Sequence, residues 1–182
     1  MTKCVNSSIS HCSLVIGHSS PVGIALGSNI GDRLGYLQTA RDELSAQYGE
    51  VRCSRVYETD PVECTPGTSA YLNAVVEIDF HGAPEILLSQ LQAIEIQFGR
   101  PSTHAYHAPR TLDLDILYIG NFIHKTPSIE LPHPRLHFRR FVLAPLRDIR
   151  PDLILPGHTK TVAQLFANLP DIPSASVFSD VF

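Results

Sequence analysis

Apolar residues along the chain keep two rhythms, one of about two residues and one of about 3.6, and their succession lays out an order of elements. Residues 22–26 (VGIAL) form a short apolar run that ends in the turn Gly27-Ser28-Asn29, as a buried strand would. Over 32–48 the positions Leu34, Leu37, Ala40, Leu44 and Tyr48 recur near helical spacing, with Gly49 placed as a C-terminal stop. Residues 51–59 have the Val, Tyr and Thr content of a strand with mixed faces, which suggests an edge. A loop over 60–70 with two prolines and a glycine follows. In 71–80 the even positions Leu72, Ala74, Val76, Ile78 and Phe80 are all apolar, and the odd ones are Tyr71, Asn73, Val75, Glu77 and Asp79. That alternation predicts a strand with one face on a core. A second helix is expected over 84–98, opened by Pro84, striped by Leu87, Leu91, Ile94 and Phe98, and stopped by Gly99. Residues 113–118 repeat the strand pattern: Leu112, Leu114, Ile116 and Tyr118 share one face, Asp113 and Asp115 the other. Beyond lie a Pro/His/Arg segment (131–140), an apolar stretch (141–149) and an amphipathic helix near 161–169.

The order strand, helix, strand, strand, helix, strand predicts an α+β fold of the ferredoxin-like βαββαβ kind. Two helices would cover one face of an antiparallel sheet, with extra C-terminal elements. The opposite face is then left for a ligand, and it carries Tyr71, Asn73, Asp113 and Asp115.

The length of 182 residues fits one domain, expected over 21–182. With 43% hydrophobic and 18% charged residues the balance is that of a globular chain. A net charge of −4 argues against a general nucleic-acid binder. The charge is uneven, however: residues 1–99 carry 5 basic and 11 acidic side chains, and residues 100–182 carry 9 and 7. An anionic substrate is therefore expected against the C-terminal half. The four cysteines (Cys4, Cys12, Cys53, Cys64) form no CxxC pair, which suits a reducing compartment, and no apolar run approaches the ~20 residues of a membrane span. Residues 1–20 are Ser-rich with a small apolar cluster and no Arg; they read as a disordered leader or a misassigned start rather than a targeting peptide. A cytoplasmic monomer is expected.

Two carboxylates two apart on a strand point the same way, roughly 6.5–7 Å apart, so Asp113 and Asp115 could flank two magnesium ions spaced ~3.5–4 Å. An arbitrary DxD is more often a solvated pair, but here apolar residues alternate with the acids and Arg110 lies just upstream. Arg100, Arg110, Arg135, Arg139 and Arg140, with His133, are donors that a triphosphate would need, although each alone is more often a surface residue. Tyr71 and Phe141 could sandwich a flat heterocycle; core packing is the competing reading for Phe141. The spacings His104/His107 and His133/His137 invite a zinc reading, which the neighbouring prolines and the lack of HExxH disfavour. Neither a Walker A sequence nor GxGxxG is present, so a nucleotide enzyme here is neither a P-loop nor a Rossmann protein.

The segments ALGSNIGDR, YETDPV, YLNAVVEI, IEIQFGR, PRTLDLDIL and LPHPRLHFRRFVLAPL, in that order, resemble the 6-hydroxymethyl-7,8-dihydropterin pyrophosphokinases of folate synthesis over about residues 22–156. The resemblance implies an ATP-dependent diphosphokinase with two Mg2+ ions, in which Asp113 and Asp115 bind metal and Asp115 also receives the proton of the attacking hydroxyl. It implies ATP contacts at Glu95, Arg100, Arg110, His133 and Arg139, of which Arg100 and Arg110 are catalytic. The pterin would be held by Thr59, Val62, Tyr71, Asn73 and Phe141. Its partners would then be small molecules, with neither nucleic acid nor membrane. Three positions depart from the family pattern: His107-Ala108 replaces a tryptophan and glycine, Ser102 replaces an arginine, and Phe138 precedes Arg139. These departures bear on loop closure and ATP affinity, and they motivate the alternative of a catalytically weakened pterin- or nucleotide-binding relative. A ferredoxin-like RNA-binding module would carry aromatics where this chain has carboxylates.

Overall fold

The computed structural model describes residues 16–60, 69–99, 110–172 and 174–182. Its elements run β1 (Ile16–Ser28), α1 (Arg33–Tyr48), β2 (Arg52–Cys53), β3 (Val56–Thr59), β4 (Tyr71–Gly82), α2 (Pro84–Gln97), β5 (Asp113–Ile119), β6 (His124–Lys125) and β7 (Glu130–Leu131). A 3-10 turn (Leu136–Phe138), α3 (Arg140–Ile149), α4 (Val162–Ala167) and β8 (Ala175–Ser179) complete it. The main sheet has the order β5-β1-β4-β3-β8, with β2 also pairing β4, and every pairing is antiparallel. α1 starts on an N-cap at Asp32, whose side chain accepts from the Gly35 amide. Val22, Ile24 and Leu26 of β1 and the even positions of β4 form one core with Leu37, Ala40 and Leu44 of α1 and Leu87, Leu91 and Ile94 of α2. Both helices thus lie on the face that the alternation predicts.

The other face departs from the expectation. Rather than being left wholly for a ligand, much of it is covered by α3 and α4: Val75, Leu117 and Tyr118 pack with Val142, Leu143, Leu146 and Val162. The apolar stretch 141–149 is the helix that does this. Two arginine forks fasten it. Asp148 accepts from Arg55 Nε at 3.1 Å and Nη2 at 2.9 Å, and from the Tyr57 hydroxyl at 2.9 Å. Arg150, just past the end of α3, donates to Glu77 through Nε at 2.7 Å and Nη2 at 2.5 Å. Bidentate pairs of this kind fix direction as well as contact.

Four further differences have physical causes. A bulge shifts the β1–β5 register between Gly23 and Ile24, so Leu117 has no partner and Tyr118 turns to the second face instead of following Ile116. Tyr118 then lies over Gly23, where a β-carbon would fall 2.3 Å from its ring, and its hydroxyl donates to Glu77 at 2.6 Å. The strand expected over 51–59 is interrupted into β2 and β3. β3 is not an edge, because β8 pairs along it. Finally, β1 begins at Ile16 inside the segment expected to be a disordered leader, pairing Ile16 with Gly82 and Ser20 with Phe80 across an irregular register; residues 1–15 lie outside the described residues. Deleting residues 1–20 is accordingly expected to cost about 1 kcal/mol and lower the melting temperature by about 2–4 °C. An unshifted melt would show that the β1 extension contributes nothing.

Candidate active site

The central strand β1 lines the second face with Gly23, Ala25 and Gly27, a shallow trough bounded by β4 and β5. At one end Tyr118 fills it. At the other, Gly27 pairs with Asn73 on β4 and with Asp113 on β5. A β-carbon on Gly27 would sit 3.4 Å from Asn73 Oδ1 and 4.0 Å from Asp113 Cβ, so both side chains bound the same space. Two strand spacings of ~4.8 Å separate the β4 and β5 backbones there, with only the side chain of a glycine between them.

On the β4 side, Asn73 is buried and its Nδ2 donates to Thr59 Oγ1 at 2.7 Å, which orients the amide with Oδ1 over Gly27. Tyr71 pairs with Thr59 at the mouth of β3 and β4. Phe141 lies in the first turn of α3, the helix packed on β4, with the Arg139 guanidinium 5.3 Å above its ring.

On the β5 side, Asp113 and Asp115 alternate with buried Leu114 and Ile116, so both acids face the second surface as their spacing predicts. Each has an arginine beside it: Arg110 Nη1 bonds Asp113, and Arg139 Nη1 lies 3.9 Å from Asp115. Burial opposes the Arg110 charge, but Asp113, Asp115 and Glu95 outweigh it and keep the guanidinium firmly protonated. Arg110 is fixed through its backbone, whose amide donates to Asn29 Oδ1 at 2.8 Å while its carbonyl accepts from Asn29 N at 3.1 Å. Glu95 is almost fully buried and accepts from the Leu114 amide at 2.9 Å, bracing β5 between the two acids.

A cleft of about 330 Å³ opens beside Asp115, walled by Leu88, Leu114, Ile129, Glu130 and His133. The His133 amide bonds the Leu117 carbonyl at 2.8 Å, and its Nδ1 accepts from the Arg135 amide at 3.2 Å, so the neutral ring carries its proton on Nε2. Burial, then the charges of Arg139 and Arg135, pull its pKa down to about 4. His133 therefore offers a neutral N–H rather than a cation near pH 7. In the ligand-free protein its NMR titration is expected near pH 4; a midpoint near the ordinary ~6.5 would contradict its burial. Because an unfolded chain takes up this proton first, stability should fall as pH drops from about 6.5 to 4.

Arg100, Val62, Ser102, His104 and His107 lie outside the described residues. Sequence reasoning placed Tyr71, Asn73, Asp113 and Asp115 on one sheet face, where the structure has them; Thr59, named only by the resemblance, lies beside them through its bond from Asn73. It missed Gly27 as the floor and Asn29 as the anchor of Arg110; the signal was available in Gly27-Ser28-Asn29, a small residue and a polar one at the exit of an apolar strand. Carboxylate oxygens on a partly exposed pair suit a hard divalent cation such as Mg2+, which takes few protein ligands. Among the described residues no group of three or more His, Cys, Asp or Glu is poised to hold a metal. No helix there is long and apolar enough to cross a membrane.

The family model described as 7,8-dihydro-6-hydroxymethylpterin-pyrophosphokinase matches residues 23–151. The chain is 39% identical over 162 residues to the Pseudomonas aeruginosa 2-amino-4-hydroxy-6-hydroxymethyldihydropteridine pyrophosphokinase, covering 88% of this chain and 94% of that one. It is 37% identical over 151 residues to the folic acid synthesis protein fol1 of Pneumocystis carinii, covering 82% of this chain but only 20% of that longer protein. A crystal structure of Plasmodium falciparum HPPK-DHPS superposes with a TM-score of 0.66 at 14% identity, over 82% of this chain and 44% of that one, a likeness of fold. With the match running from the first buried strand through α3, this chain belongs to the 7,8-dihydro-6-hydroxymethylpterin-pyrophosphokinase family.

Proposed function

We propose that the protein transfers the pyrophosphoryl group of ATP to the hydroxyl of 6-hydroxymethyl-7,8-dihydropterin, releasing AMP, as a step in folate synthesis. The observation that carries this reading is the placement of Asn73 and Asp113 on either side of Gly27. An oriented amide suited to a heterocycle and an acid pair suited to phosphate chemistry thus share one trough. The strand order β5-β1-β4-β3 with α1 and α2 on one face supports a ferredoxin-like core, to which β8, α3 and α4 are added.

In this reading Thr59, Asn73, Tyr71 and Phe141 hold the pterin, and its hydroxymethyl group points across Gly27 toward β5. The hydroxyl oxygen bonds to the β-phosphorus while the bond from that phosphorus to the α,β-bridging oxygen breaks, and AMP leaves. Asp115 takes the hydroxyl proton. Arg110 and Arg139 turn from the acids to the phosphates, and His133 donates from Nε2 without adding charge. Asp113 and Asp115 would hold Mg2+, two ions in this reading, which when bound offsets the phosphate charge. Positioning and charge stabilisation supply the acceleration, since phosphoryl transfer asks little covalent help of protein groups. Arg100 and Val62 enter by motif alone, the first toward ATP and the second toward the pterin.

The test is to incubate purified protein with ATP, Mg2+ and the hydroxymethylpterin and to follow AMP. Pterin-dependent AMP is the expected result. Tight binding of both substrates without AMP would favour a weakened relative, and binding of neither would reject the site.

A further inference from the structure

We propose that Arg33, on the far side of the sheet from the acids, is a positioning residue that sets the heterocycle side of the site. The inference rests on reading Thr59, Asn73 and Tyr71 as the pterin pocket, and it adds a residue that touches no substrate.

Arg33 is the first residue of α1. A cation there opposes the helix dipole, so local helix energetics do not explain it. Its contacts lie elsewhere. One guanidinium nitrogen, Nη1, donates to Glu58 Oε1 at 2.9 Å and to the Ala70 carbonyl at 2.7 Å. Glu58 stands one residue before Thr59 at the end of β3, and Ala70 one residue before Tyr71 at the start of β4. A single side chain therefore spans the two strand ends that carry pocket residues. Its Cζ also lies 5.9 Å from the Phe178 ring on β8, the strand that closes the outside of β3.

The alternation of β3 explains why this grip is on the back. Val56 joins the helix-side core, whereas the Tyr57 hydroxyl reaches Asp148 of α3 on the opposite face. Glu58 accordingly faces α1, and Thr59 faces the trough with its hydroxyl on Asn73. Pulling Glu58 and Ala70 toward one donor fixes the pairs Glu58–Leu72 and Thr59–Tyr71 at the point where the sheet would otherwise fray. The orientation of the Asn73 amide depends on Thr59, so it inherits that register. Asp113, Asp115 and His133, by contrast, are positioned from β5, Arg110, Arg139 and the Leu117 carbonyl.

The prediction is a selective one. In Arg33→Met, which keeps the apolar stem and removes both bonds, affinity for the hydroxymethylpterin should fall about tenfold while ATP affinity stays within about twofold. The pterin KM should rise with kcat little changed. Arg33→Lys, which keeps a charge and three donors, should recover part of the loss, and Glu58→Gln should show a smaller loss of the same kind. The measurements are calorimetric titrations of each protein with pterin and with ATP, alongside steady-state kinetics. A parallel loss for both substrates, or unchanged pterin affinity in both Arg33→Met and Glu58→Gln, overturns the proposal. Should Arg33→Met not fold, Arg33→Lys and Glu58→Gln give the same comparison. If the unmodified protein binds no pterin, the reading of the pocket fails instead, and the two failures are told apart by that control.

Discussion

Replacing Asp115 by asparagine is expected to cut pterin-dependent AMP formation by about 10²–10³-fold, with Asp113→Asn falling in the same range. Metal-borne charge stabilisation is worth several kcal/mol, and each 1.36 kcal/mol is a factor of ten in rate. Asparagine keeps the shape of each side chain but removes the charge that a divalent cation needs. Folding should hardly change, because side-chain exposures of 28% for Asp113 and 45% for Asp115 leave water to solvate the amides and their arginines. The check is AMP release at saturating substrates, with far-UV circular dichroism and a melt on the same preparations. A loss of less than about threefold in either variant would sink the assigned chemistry. A collapsed dichroism spectrum would make the acids structural.

Glu77→Ala should cost about 3 kcal/mol of stability, equivalent to a melting temperature lower by about 6–12 °C. Glu77 is 7% exposed and takes two bonds from Arg150 and one from the buried Tyr118 hydroxyl. Alanine leaves that hydroxyl without its acceptor and the guanidinium without its counter-charge. Burial alone would raise the Glu77 carboxyl, but the Arg150 fork and the Tyr118 hydroxyl outweigh it and hold its pKa below the usual carboxylate range. A depressed folded-state pKa stabilises above the unfolded value of ~4.3 and is lost as pH falls through the folded one. The difference in melting temperature between Glu77→Ala and the unmodified protein should therefore narrow below about pH 4. A constant difference down to pH 2 would mean that packing, not the ion pair, is what the alanine removes.

Periodicity made legible whatever is written within one element. The even positions of β4, the stripes of α1 and α2 and the shared face of Asp113 and Asp115 follow from side-chain direction alone. What escaped is written between elements. The turning of Tyr118 needs a bulge that only the β1 partner reveals, and alternation without it assigns the wrong face. The short, exposed β8 has no periodic signal strong enough to distinguish it from a loop, and only β3 makes it a strand. The stretch 141–149 is apolar enough for several fates; Asp148 and Arg150 decide its place, through partners far away in sequence. In the site, residue types suggested phosphate and heterocycle chemistry and spacing put Arg110 close to Asp113, but nothing in spacing brings Arg139 to Asp115.

The trough along β1 separates two kinds of constraint within one strand. Val22, Ile24 and Leu26 answer to the helices, and Gly23, Ala25 and Gly27 answer to whatever lies over the sheet. At Gly23 that occupant is the protein's own Tyr118 ring; at Gly27, in the proposed reading, it is the hydroxymethyl arm of the pterin. A β-carbon at Gly27 would meet only ordinary contacts from Asn73 and Asp113, so the sheet could accept it, and the loss would fall on the guest rather than the host. Substitutions at alternate positions of β1 therefore probe different properties: drift on the helix side changes how well the molecule folds, while drift at Gly27 changes what it can admit. If the proposed site is right, binding selectivity can be retuned at that one backbone position without renegotiating the core beneath it.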